Sequence, residues 1–186
     1  MQQLTRMPSQ QRGATLIMTL LVLLVVSLLA ISSAERATLQ DRMVGSQRDA
    51  DIAFEMAEDA LSEAETLLET GQVTPADFGS DGPFYSEGEA PDPFDHETWE
   101  AGNGSREATA THNRWVQYYS DVPIPRFIIE RIGQLGDGNN GGVMVSGRQQ
   151  LATGAQMEGY RILARARGAT GHSDRILEGY FAADLR

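Results

Sequence analysis

The chain has 186 residues, enough for one modest domain with an appendage, and a formal charge of −11 that would repel nucleic acid and argues against it as a partner. There is no cysteine, which excludes disulfides, thiolate metal sites and a cysteine nucleophile. All 15 basic residues are arginine; with Arg6 and Arg12 contributing +2, the residues after Arg12 carry −13.

The first predicted element is "QRGATLIMTLLVLLVVSLLAISSA", Gln11–Ala34. From Ala14 to Ala34 no residue is charged, and as a helix that length spans roughly 31 Å, close to a bilayer core of about 30 Å. Its threonines and serines are tolerable there because their hydroxyls can bond back to helix carbonyls. Arg6 and Arg12 stand in a stretch free of acid, which favours a cytoplasmic N-terminus with the rest outside. Three readings are open: an anchor, a segment cut at Gly13 and kept, or a secretory signal cut near Ser32-Ser33-Ala34.

The helical pattern continues past Ala34. No proline interrupts Glu35–Thr70, and Ala53, Ala57, Ala60, Leu61, Ala64, Leu67 and Leu68 recur at three- and four-residue steps, one apolar stripe. Glu55, Glu58, Asp59, Glu63 and Glu65 occupy much of the rest. Gly71 is placed to cap the helix C-terminally and Pro75 prevents early resumption. One helix of about 55 residues is expected, apolar all round in its first half and amphipathic in its second, with Gly45 as its weak point.

Residues 72–112 read as loop, rich in proline and glycine, and Asp77–Glu100 holds eight acids without a base. Clustered carboxylates there, or "DGNNGG" at Asp137–Gly142, raise a calcium reading, although the latter lacks the terminal bidentate glutamate of an EF-hand loop. Phe84, Tyr85, Phe94 and Trp99 suggest that parts of this loop pack onto the domain. Strands are expected at Arg126–Ile132 and Tyr160–Arg167, each with period-two alternation, and at Arg175–Ala182, giving an antiparallel meander of three or four strands whose apolar face can cover the Ala57–Leu68 stripe. The stretch from Gly133 to Gly159 reads as a glycine-rich excursion between strands. His96, His112 and His172 have no metal-site spacing, and the tripeptide His172-Ser173-Asp174 is not a triad, so neither cofactor nor enzyme activity is expected.

Three stretches carry a resemblance to type IV pilins, specifically minor pilins of the PilX type. They are the basic leader and apolar helix, "RGATLIMTLLVLLVVSLLAISSAERA"; the adjoining "ATLQDRMVGSQRDADIAFEMAEDAL"; and the body segments "PRFIIERIG" and "GYRILARARGATGHSDRILEGYF". The resemblance implies an α+β pilin-like fold, a long helix on a small antiparallel sheet. It implies cleavage by the prepilin peptidase between Gly13 and Ala14 and N-methylation of Ala14. The implied layout is a leader at 1–13, a transmembrane and filament-core half at 14–34, an amphipathic half at 35–70 and a periplasmic head at 71–186. The subunit would wait in the inner membrane and then enter an extracellular pilus, with other minor pilins, the major pilin and a tip adhesin as partners. At Met18 the chain departs from the family, in which most pilins have a glutamate that pairs with a neighbour's N-terminal amine. The tip pseudopilin of type II secretion systems also lacks that glutamate, so a role at the filament tip is implied. The rival readings are a type II secretion pseudopilin and a membrane-anchored or secreted calcium- or ligand-binding protein.

Overall fold

The computed structural model describes residues 12–135 and 157–183. The calcium-loop candidate at Asp137–Gly142, most of the glycine-rich stretch and nearly all of the leader lie outside them. Helix α1 runs from Arg12 to Glu69, 58 residues, continuous through Gly45 as the proline-free sequence requires. It contributes to two compact units, one ending at Gly45 and one beginning at Ser46.

In the first unit every described side chain from Gly13 onward is exposed. In the second, α1 presents alanines at its crowded face: Ala53, Ala57, Ala60 and Ala64 are fully buried, flanked by Met56 and Leu68. Small side chains let the helix axis lie close to a sheet. The helix ends as expected at Gly71, whose φ of 66° places it in the left-handed region. The Gly71 N–H donates to Leu68 O and the Gln72 N–H to Leu67 O, the pair of bonds that closes a Schellman turn.

The sheet is built on three long antiparallel strands, β3 (Arg126–Leu135), β4 (Met157–Arg167) and β5 (Asp174–Ala183). Two short strands, β1 (Phe84–Tyr85) and β2 (Arg106–Glu107), share the other edge of β3. The sheet therefore has five strands rather than three or four. It is mixed rather than wholly antiparallel, because β1 runs parallel to β3. The correction comes from the region 72–112, read as loop: it supplies both short strands and the start of a short helix, α2 (Thr109–Trp115). Two-residue strands have no periodicity to detect; only their partner defines them.

Alternation along the strands sorts the two faces. Phe127, Ile129, Tyr160, Ile162 and Ala164 pack with Ala60, Ala64, Leu67 and Leu68 of α1. Each large side chain buried there contributes about 1.5–3 kcal/mol. Nearer the start of the unit, Ile52, Met56 and Ala57 meet Val122 and Ala166. The opposite face is covered too: Tyr85 and Trp99 of the acidic loop pack on Ile128 and Leu163. The acids of that loop shape its turns. Asp92 accepts from the Phe94 N–H and Asp95 from the Glu97 N–H, while the Trp99 indole donates to Pro93 O at 2.8 Å.

Candidate assembly helix and its carboxylate anchors

The apolar half of α1 exposes Leu, Ile, Val and Met side chains around its whole circumference, each about half or more accessible. The hydroxyls within it bond back as the sequence predicts: Thr19 to Leu16 O at 2.8 Å and Ser27 to Leu23 O at 2.7 Å. No hydroxyl in these two positions is left bare in an apolar setting. This helix is long and apolar enough to cross a membrane, and the qualifying window is not buried within the chain. Such a cylinder is stable only in lipid or among other apolar helices. Gly13, Ala14 and Met18 lie in its first turns; Met18 is 68% exposed and carries no charge toward a neighbour.

Where α1 enters the second unit, Asp49 is the first buried side chain, 5% exposed. Its Oδ1 accepts the Thr170 N–H at 2.8 Å and its Oδ2 the Ser173 N–H at 3.0 Å, both from the β4–β5 turn. Burial alone would raise its pKa, but the bonds from Thr170 and Ser173 outweigh that and lower it from 3.8 to about 2. Gly168 makes this seat: a Cβ there would lie 2.5 Å from Asp49 Cγ and Oδ1.

Two further carboxylates of α1 act on α2. Asp59 accepts the Arg114 guanidinium at 2.8 Å and the Trp115 indole N–H at 2.7 Å. Glu63 accepts the backbone N–H groups of Ala110 (3.2 Å) and Thr111 (2.8 Å), which α2 cannot satisfy internally. In sequence, Asp59 and Glu63 read as part of the polar face of an amphipathic helix, and Asp49 drew no notice. Their partners lie 47 to 124 residues away, beyond any local pattern. The one available signal was an acid beside the apolar stripe at its N-terminal end.

Among the described residues no group of three or more carboxylates and imidazoles is arranged to hold a metal ion. His172 turns back on Thr170, and Asp174 pairs with Arg165, so the tripeptide does not converge on itself.

An apolar helix exposed over its first half and packed on a small sheet by its second is the arrangement expected of a pilin-class subunit. Residues 12–61 match the family model described as PilX N-terminal, which spans the apolar half of α1 and both Asp49 and Asp59. That match to the N-terminal part of the chain supports a PilX-type minor pilin of type IV pili. Comparison with curated proteins gives no match, and neither does comparison with solved structures.

Proposed function

We propose that this minor pilin takes part in priming type IV pilus assembly, at or near the filament tip, and thereby serves adhesion, aggregation or twitching motility. The observation that carries the reading is the uninterrupted apolar surface of α1, with Met18 where most pilins have a glutamate. A buried carboxylate in a membrane is costly unless paired, and its benefit to a pilin lies in docking on a subunit already present. A first subunit has no predecessor, so an apolar side chain at that position costs it nothing. In this reading the prepilin peptidase cuts between Gly13 and Ala14, and Ala14 is then methylated. The N-terminus faces the cytoplasm, the head from residue 71 occupies the periplasm, and other minor pilins and the major pilin meet α1 through residues 14–34.

The test is a deletion strain scored for surface pili, with filaments sheared from the parent probed for this chain. Fewer pili on deletion, together with a small amount of the chain in sheared filaments, supports the reading. Normal piliation without the chain, and none of it in the filaments, would overturn it.

A further inference from the structure

A pocket of about 150 Å³ opens on the face of the sheet turned away from α1. Arg126, Arg165, Arg167 and His96 line it, with Pro123 and Ile124 as apolar wall, and no carboxylate is among its lining residues. Trp99 lies beneath, with the Arg165 guanidinium 5.9 Å from its ring centroid. In a protein of charge −11 this concentration of positive charge needs a reason.

The strand register makes the arrangement costly. Arg126 and Arg165 are directly opposed on β3 and β4, and like charges in that relation destabilise a sheet. Arg167, two residues on, projects to the same face. Two carboxylates partly balance the three guanidiniums: Glu107 holds Arg126 at 2.8 Å, and Asp174 pairs with Arg165. Arg167 reaches that same Asp174 only at 3.9 Å and keeps 40% of its side chain exposed. Among these ion pairs three guanidiniums thus share two carboxylates, and Arg167 is the least closely paired.

His96 sharpens the mismatch. Its Nδ1 lies 3.3 Å from Arg165 Nη1 and its Nε2 lies 3.4 Å from Arg167 Nη2. Both guanidiniums can only donate, whereas a neutral imidazole has one acceptor and one N–H. One of the two contacts therefore sets donor against donor, and an acceptor placed between them would relieve it.

We infer that this pocket binds a single carboxylate group, held by Arg167 and His96 with Arg126 and Arg165 behind. One weakly paired guanidinium matches a monoanion, and its planar fork matches a carboxylate. The volume admits an acidic side chain or a small free acid, and both sources present the same chemistry.

The test uses the full chain in detergent micelles with propionate as probe, read by saturation-transfer NMR at fixed ionic strength. A saturable signal is expected, weakened about tenfold or more in Arg167→Gln and unchanged in the distant Arg114→Gln. Absence of a saturable signal, or equal binding by Arg167→Gln, would overturn the inference. Cross-linking to other pilins in cells then separates the sources. Loss of cross-links in Arg167→Gln identifies a partner's acidic side chain, and unchanged cross-links with lost propionate binding identify a free acid.

Discussion

Replacing Asp49 by asparagine keeps the side chain's size but removes the charge that two backbone N–H groups of the β4–β5 turn address. The amide oxygen can still accept from Thr170 or Ser173, while the NH2 group must face the other donor. A pKa lowered from 3.8 to about 2 corresponds to at most about 2 kcal/mol of stabilisation. Thr170 and His172 are exposed, so water shares the turn and screens the carboxylate; about 1 kcal/mol is the reasoned expectation. For a chain of this size that is a fall in Tm of about 2–4 °C. The pH dependence carries the sharper test. Because the folded-state pKa is depressed, the stabilisation is full above pH about 4 and is lost as pH falls through about 2. Chemical denaturation in detergent, followed by the fluorescence of Trp99 and Trp115, should show wild type ahead of Asp49→Asn by about 1 kcal/mol at pH 6, with about half that gap left near pH 3. A gap that stays constant from pH 6 to pH 3, or no gap at pH 6, would show that the Asp49 carboxylate does not hold the turn in its charged form.

Gly168→Ala places a Cβ against the Asp49 carbonyl oxygen as well as against its carboxylate and should destabilise by about 1–3 kcal/mol; because Asp49→Ala removes only the side-chain part of that clash, a double-mutant cycle should show partial relief and not full recovery. Ala60→Leu forces a branched side chain between α1 and the sheet at a fully buried position, and a loss of about 1–3 kcal/mol or more is expected in the same denaturation assay. Met18→Glu should leave the number of pili and the share of this chain in sheared filaments little changed; a large gain along the shaft, seen by immunogold labelling, would refute the tip reading.

The long helix was legible because its signals are local: an unbroken apolar run, an alanine and leucine stripe, and Gly71 with Pro75 shortly after it. The long strands were legible for the same reason, as short runs rich in β-branched and aromatic residues such as Phe127, Ile128, Ile129, Tyr160 and Ile162. The two short strands were not, because Phe84–Tyr85 and Arg106–Glu107 are strands only by virtue of lying on β3. Nor were the anchors. Nothing near Asp49 in sequence says that a turn at 168–173 will close over it, and Gly168 reads as one more glycine. The arginine pocket combines residues from the acidic loop, β3 and β4, and local sequence shows only scattered arginines. Composition draws attention to the acids, while the unusual feature of the head is a cluster of three arginines that shares two carboxylates.

The proposed processing between Gly13 and Ala14, with α1 retained, is open to direct test by the intact mass and N-terminal sequence of the protein purified from cells. The expected result is a chain that starts at Ala14, methylated, and is absent in that form from cells without prepilin peptidase. A protein starting at Glu35, or still bearing Met1 in peptidase-competent cells, would contradict it.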